Sequence, residues 1–489
     1  MSLLITAFSS ILITVSAGTT TFNVPLNPLG SATLDAAPVG ISYEFFQFPS
    51  YLTNVSHTWS CSAQLQRLTG TWPRIRIGGT SQDRALYDPS LSAYVLYPGY
   101  ENTFSGPLNF TFGPSFIELA GRYPGTVVMG LNRGGDNLTN TIEAAKAAVN
   151  GMKNLYAIEL GNEPDIYPYT GFNNIAPDPA TWTPAAEAAS EAEWQLAVGS
   201  ALRQTHIVQA GVFESSPANF SAVELIENER SANSRALRYI KDFSHHNYPQ
   251  STYFTVDLPS LMSHESVVSN VREFERDVVA AEKEGWEYVF GETNSVSGGG
   301  SNVTSPTFGS ALWLLDYSLR SASIGIRRNY YHQCTIGICY YSFWDRTNIN
   351  APFYGAYVAT AAMAGATYIS GLDEGTSNYG GYVAYSNDRT MMKVILVNTD
   401  YYSGNAARPS ETIVVKGLQE RRVRTRRFTA PSALSRVDEG ELPSFGGQYF
   451  DKDNCDLTGR AVTEDIKVME GTASFNVAAS EALIIDLCE

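Results

Sequence analysis

The sequence predicts an α/β protein: a (β/α)8 TIM barrel followed by a C-terminal antiparallel β-sandwich. Three observations predict it. Eight short apolar runs recur between residues 40 and 344. The spacers between them carry apolar residues at helical period. After about residue 366 the texture changes to short strands split by Gly, Asn, Asp and Pro.

The eight runs are Gly40–Glu44, Arg74–Gly79, Thr126–Leu131, Leu155–Leu160, His206–Val212, Asp242–His246, Trp286–Phe290 and Cys339–Trp344. Among the spacers, Thr141–Lys153 is Ala-rich with Asn140 as its expected N-cap, and Ala185–Arg203 and Glu265–Lys283 are long and amphipathic. Alternation of strand and helix eight times over is the pattern of a closed parallel barrel. A doubly wound open sheet is disfavoured, because no Gly-X-Gly-X-X-Gly turn follows the first strand. The barrel is expected over residues 38–365 and the sandwich over 366–489.

Within the sandwich, strands are expected around Tyr382–Tyr385, Met392–Val397, Thr412–Val415, Arg424–Phe428 and Leu483–Leu487, with Asn387-Asp388 as a hairpin turn. The segment beginning Thr21-Phe-Asn-Val-Pro precedes the barrel and is a candidate extra strand of that sandwich, from residues 18–37.

A chain of 489 residues with 44% hydrophobic and 17% charged residues buries a large core. Its net charge of −16 repels polyanions, so no nucleic-acid partner and no anionic membrane surface are expected. Aromatic residues make up 12% of the chain, a load that suits stacking on sugar rings. The one basic run, Arg421–Arg427, reads as a charged strand edge.

Residues 1–17 read as a secretory signal, with an apolar run and cleavage after Ala17, although no Lys or Arg precedes the run; a buried first strand is the alternative. Five Asn-X-Ser/Thr sites, at Asn54, Asn109, Asn137, Asn219 and Asn302, agree with a glycosylated, secreted, extracellular protein. The five cysteines are too scattered for a zinc site. Cys455 with Cys488 and Cys334 with Cys339 are the pairings guessed from position.

Chemistry concentrates at two strand ends. Gly161-Asn162-Glu163-Pro164 follows the fourth run and Gly291-Glu292-Thr293-Asn294 the seventh. The C-terminal face of such a barrel is where catalysis sits. Either Glu alone reads as a surface charge. The two together are the paired carboxylates of glycoside hydrolysis, Glu163 as acid/base and Glu292 as nucleophile, and a gap of about 5–5.5 Å would give retention. Asn162, beside the acid, is a candidate donor to the sugar 2-hydroxyl. His245-His246 lacks a second cluster at ligand spacing, so a structural or substrate-bonding role outweighs a metal. Ser/His/Asp chemistry lacks its Gly-X-Ser-X-Gly elbow.

Asn162-Glu163-Pro164 with Glu292 resembles the superfamily of retaining hydrolases that carry their carboxylates on strands four and seven. Tyr43-Glu44-Phe45, Arg76-Ile-Gly-Gly79-Thr80, Gly130-Leu-Asn132 and Asn247-Tyr248-Pro249 narrow the likeness to glycoside hydrolase family 79, the heparanase-related β-glucuronidases, and among them to secreted fungal members. The resemblance implies release of terminal β-linked glucuronic acid, with or without a 4-O-methyl group, with retention and with no metal or other cofactor. By position it implies Glu44 and Tyr248 as substrate-binding residues, Tyr248 close to the nucleophile. It implies that the sugar carboxylate is held after the nucleophile, where this chain has Ser297-Gly298-Gly299-Gly300 and lacks a tyrosine that some relatives carry. Amides of Gly298 and Gly299 would form an anion nest, and Tyr330 or Tyr331 would add a hydroxyl. Of the aromatics around the eighth run, one at the strand end is expected against the sugar face.

The negative charge favours exo-action on a β-glucuronide over cutting inside a sulfated polymer. Two rivals share the same residues: another retaining exo-β-glycosidase, of β-glucosidase or β-xylosidase type, and a non-catalytic glycan-binding protein on this scaffold.

Overall fold

The computed structural model describes residues 19–26, 30–97, 106–172 and 174–487. Eight parallel strands close into a barrel: β1 (Val39–Glu44), β2 (Ile75–Gly78), β3 (Val127–Leu131), β4 (Leu155–Leu160), β5 (Val208–Phe213), β6 (Ile240–Asn247), β7 (Glu287–Thr293) and β8 (Ile326–Gln333). Closure is direct, with Asn329–Gln333 of β8 in register with Val39–Tyr43 of β1. Strands covered on both faces read as unbroken apolar runs, which is why seven of the eight are visible in the sequence. The eighth is a correction. Residues 339–344 lie beyond β8 in the loop that follows it, and the strand itself is Ile-Arg-Arg-Asn-Tyr-Tyr-His-Gln. Its arginines disguise it. Arg328 is buried inside the barrel, where it meets Asp242 at 3.2 Å, Asp35 at 2.9 Å and Glu287 at 2.6 Å.

Helices cover the barrel. Pro184–Leu202 starts on Thr183, whose hydroxyl accepts from the Ala186 amide. Leu138–Gly151 starts one turn earlier than expected: Asn137 caps it, and the Asn140 side chain instead bridges the Tyr87 backbone. The expected helix Glu265–Lys283 is two helices, His264–Arg272 and Glu275–Glu284, parted at Glu273-Phe274. Among the described residues no helix is long and apolar enough to cross a membrane. All five asparagines of the Asn-X-Ser/Thr sites are exposed. Residues 1–17, with the expected leader, lie outside the described residues.

Beyond the last barrel helix, Ala351–Met363, the chain builds two sheets over an apolar core that includes Val394, Ile413, Phe475 and Ile485. An eight-stranded sheet includes β9 (Tyr379–Tyr385), β10 (Met391–Asn398), β12 (Arg422–Thr429) and β14 (Glu481–Asp486), and a three-stranded sheet holds β11 (Ser410–Lys416) and β13 (Thr472–Ala478). The third strand of the small sheet is Thr19–Asn23, parallel to β11. Asn387-Asp388 lies in the turn between β9 and β10. The basic run on β12 is paired: Arg424 with Asp465, Arg426 with Asp486, and Arg427 with Glu464 and Glu481.

A disulfide joins Cys61, in the helix Ser56–Thr69, to Cys455 across 394 residues of sequence, and a second joins Cys334 to Cys339. The pairing of Cys455 with Cys488 is therefore corrected. Packing of the helix Ser56–Thr69 against the 451–456 loop brings the two together: the His57 ring meets the Lys452 carbonyl and Gln64 donates to Asp456. Cys488 lies outside the described residues.

Candidate active site

The C-terminal ends of the barrel strands surround a cavity of about 480 Å³. Glu44 from β1, Glu163 after β4, Tyr248 after β6, Glu292 on β7 and His332 on β8 line it, with Gly298, Gly299 and Tyr341 from the loops beyond. One carboxyl oxygen of Glu163, one of Glu292 and a ring nitrogen of His246 all lie within 4.8 Å of one another.

Glu163 is placed by its backbone. It adopts φ 51°, ψ 55°, a left-handed conformation rare outside glycine. Its amide donates to the Val212 carbonyl at 3.1 Å, and Val212 itself has φ 62° in a bulge of β5. Buried Asp83 holds the same turn, accepting from the Asn162 amide at 2.7 Å and from the Tyr167 hydroxyl at 2.9 Å. The Glu163 side chain is 16% exposed, and its Oε1 lies 2.9 Å from His246 Nδ1.

Glu292 sits in the opposite electrostatic setting. Arg76 and the Tyr248 hydroxyl (2.7 Å) donate to it, and His332 Nδ1 is 3.5 Å away. Arg76, fully buried, also donates to Glu159 (Nη2 to Oε1 at 2.5 Å), to Ser42 at 3.2 Å and to Asn162 Oδ1 at 2.9 Å. One guanidinium thus ties strands two, four and seven to a single register, with the geometric rigidity of its planar fork.

The two carboxyls are driven apart in acidity. Burial pushes the Glu163 carboxyl well above the usual range, and the charges of Glu292, Glu214 and Asp165 push further. Burial acts the same way on Glu292, but His332, His246, Arg76 and the Tyr248 hydrogen bond outweigh it and hold this carboxylate well below the usual range. Burial pushes the His246 ring well below its usual value, against the pull of the Glu292 charge. Burial also pushes Tyr248 well above 10, which keeps it a hydrogen-bond donor. One protonated acid and one ionised carboxylate at close range are the two states that a double displacement starts from.

Glu44 lies beside them. Its Oε1 accepts from the Ser81 amide at 3.0 Å, and its Oε2 lies 3.4 Å from His332 Nε2. Gly79, at φ 88°, leaves room for it: a Cβ there would stand 2.5 Å from Glu44 Oε2. Asn162 is 5% exposed, with its Oδ1 taken by Arg76. Gly298 and Gly299, both at positive φ, line the cavity in the loop after β7.

Tyr331 is a correction. Alternation along β8 turns its side chain outward, where its hydroxyl meets Ser318 at 2.6 Å on the helix Phe308–Ser323. Tyr330 faces the barrel interior with Val128, Ala157 and Val289, away from the mouth. Of the aromatics around the expected eighth run, Tyr341 lines the cavity, its ring 6.2 Å from that of His332 and 6.3 Å from that of Tyr248. Arg84, Glu214 and His332 also line the cavity and were not singled out by sequence reasoning. His332 was within reach, two residues from Tyr330 on the same face of a strand. Nothing local marks Arg84 or Glu214.

Comparison with known proteins agrees with this architecture. Residues 381–484 match the glycosyl hydrolase family 79 C-terminal beta domain. The chain is 33% identical over 401 residues to a β-glucuronidase of Aspergillus niger, covering 74% of this chain and 71% of that one. It is 29% identical over 472 residues to a β-glucuronidase of Neurospora crassa, covering 85% and 81%. Among solved structures, a 4-O-α-L-rhamnosyl-β-D-glucuronidase from Fusarium oxysporum superposes with a TM-score of 0.89 at 42% identity, over 96% of this chain and 100% of that one. An α-L-arabinofuranosidase of Thermotoga maritima shares the fold, with a TM-score of 0.60 at 11% identity. A strand-four and strand-seven carboxylate pair on a closed barrel, a matched C-terminal domain and relatives spanning most of the chain together place this protein in glycosyl hydrolase family 79, as a glycoside hydrolase.

Proposed function

We propose that the chain is a retaining exo-β-glucuronidase, with Glu163 as acid/base and Glu292 as nucleophile. The observation that carries it is the carboxyl pair within 4.8 Å whose surroundings hold one proton on and one proton off. Fungal β-glucuronidases among the relatives supply the sugar.

Ionised Glu292 attacks the anomeric carbon while Glu163 passes its proton to the departing glycosidic oxygen. A covalent glycosyl ester forms on Glu292 and the leaving alcohol departs neutral. Esterification removes the Glu292 charge, so the Glu163 pKa falls and its carboxylate becomes the base that deprotonates water. Water then attacks the same carbon, releasing the sugar with its original configuration. Arg76 and Tyr248 stabilise the nucleophile before attack and orient the oxygen that attacks. Asn162, its Oδ1 fixed by Arg76, turns its amide nitrogen to the 2-hydroxyl, and Glu44 accepts from sugar hydroxyls. The sugar carboxylate is met by the Gly298-Gly299 backbone and by Arg84, the guanidinium on the cavity wall. Five Asn-X-Ser/Thr asparagines, all exposed, support a secreted, glycosylated protein.

A panel of aryl β-glycosides tests the sugar. The glucuronide is expected to be turned over at least a hundredfold faster than the glucoside or xyloside, and a preference for either of those would replace this proposal with the corresponding exo-glycosidase. The relative from Fusarium supports a second, narrower substrate, a glucuronosyl unit carrying a 4-O-sugar. Faster release of a rhamnosyl-glucuronosyl disaccharide than of glucuronic acid from matched aryl glycosides would establish it.

A further inference from the structure

We propose that the Tyr253-Phe254 turn and the cavity behind it form a second saccharide subsite, which holds neutral sugar units on the leaving-group side of the bond that is cut. This rests on the glucuronidase reading and extends it from the catalytic cavity, which Tyr253 lines, to the cavity beside it, which Phe254 lines.

A second cavity of about 390 Å³ adjoins the first, and Glu214, Tyr248 and Ser297 line both. His246, which touches Glu163, also lines it, so it opens on the acid's side of the cleft. That is the side from which the leaving oxygen takes its proton, and a leaving group must pass there. Its walls carry neutral polar side chains of the kind that recognise sugar hydroxyls, Ser215, Thr255 and Asn270, and Phe274 lines it as well. Between the two cavities stands an adjacent, exposed aromatic pair: Tyr253, 82% exposed, lines the catalytic cavity, and Phe254, 79% exposed, lines the second. Adjacent exposed rings beside an active site are surface held for a ligand rather than for the core. The turn that bears them is anchored. Gln250-Ser251 pairs with Val296-Ser297, the Thr252 amide donates to the Ser297 carbonyl at 3.3 Å, and the Phe254 amide closes the turn on the Ser251 carbonyl at 3.0 Å. Glu214 and Glu273 face the same cavity and repel anionic chains, which selects a neutral saccharide.

The test compares two substrates with the wild type and Phe254→Ala, and then with Tyr253→Ala. One is β-glucuronosyl fluoride, whose leaving group reaches no subsite. The other is a neutral trisaccharide capped by a β-glucuronosyl unit. The ratio of kcat/KM for the capped trisaccharide to that for the fluoride is expected to fall about tenfold or more in each variant, through KM. An unchanged ratio overturns the proposal. Binding of the uncapped trisaccharide alone, read by saturation-transfer NMR, is expected in the wild type and lost in Phe254→Ala. Absence of that binding in the wild type also overturns the subsite. Binding without turnover of either glucuronide overturns the glucuronidase reading and leaves the subsite standing.

Discussion

Replacing His264 by Ala removes the ion that clamps the barrel to the sandwich. His264 opens the barrel helix His264–Arg272. Its Nδ1 lies 2.8 Å from Asp316, on the barrel helix Phe308–Ser323, and its Nε2 lies 2.7 Å from Asp373, just before β9 of the sandwich. The His264 and Asp316 side chains are 1% and 0% exposed. Removing one partner of a buried pair leaves the other charge stranded and costs about 3–5 kcal/mol. Acidity leads to the same order. Burial disfavours the imidazolium, but Asp316 and then Asp373 outweigh it and raise the pKa from 6.5 to about 10. At about 1.4 kcal/mol per pH unit, that rise corresponds to roughly 5 kcal/mol. The sign follows: the folded protein binds this proton more tightly than the unfolded chain, so the stabilisation is complete below pH 6.5 and is lost as pH rises through 10. Urea unfolding of wild type and His264→Ala at pH 6 and pH 10.5 measures it. The gap is expected near 3–5 kcal/mol at pH 6 and much smaller at pH 10.5. A gap below about 1 kcal/mol at pH 6, or an equal gap at both values, would refute the charged clamp.

Tyr248→Phe deletes the hydroxyl that donates to Glu292, a bond to a charged acceptor worth about 1.5–3 kcal/mol; kcat on an aryl β-glucuronide is expected to drop by roughly 10- to 150-fold, and a change under twofold would contradict the assignment. Glu187, Glu191 and Glu229 are buried around one cation, Arg133, and burial pushes Glu187 up to about 8 from 4.5. The folded state therefore holds that proton more firmly than the unfolded chain, and stability declines as pH climbs from 4.5 to 8. Glu187→Gln is expected to flatten that decline in thermal melts, and an unaltered slope would count against it. Cys61→Ser opens the disulfide that spans 394 residues and is expected to lower unfolding free energy by about 2–5 kcal/mol, with no loss of activity at low temperature; an unshifted urea midpoint would contradict it.

The barrel was legible because parallel strands buried on both faces leave apolar runs in the sequence, and because Gly161-Asn162-Glu163-Pro164 and Gly291-Glu292 stand at the ends of two of them. What escaped notice shares a cause, convergence across long stretches of chain. Arg327 and Arg328 interrupt the apolar pattern of β8, and the stretch 339–344, packed in the following loop, carries the stronger apolar signal. The error in Tyr331 follows from that: with the strand placed late, its outward turn was invisible. Arg76 stood in a quoted motif, yet nothing in the motif tells that its guanidinium reaches Glu159, Asn162 and Glu292 at once. Cys61 and Cys455 are brought together by domain packing, which spacing does not encode.

The central claim is that Glu292 becomes covalently bonded to the sugar. Incubation with a 2-deoxy-2-fluoro-β-glucuronosyl fluoride, which forms the ester but hydrolyses it slowly, followed by peptide mass spectrometry, tests it most directly. The account predicts one added fluoroglucuronosyl group per chain, on the peptide containing Glu292. An unlabelled enzyme that still turns over the parent glucuronide, or a label on any other residue, would contradict it.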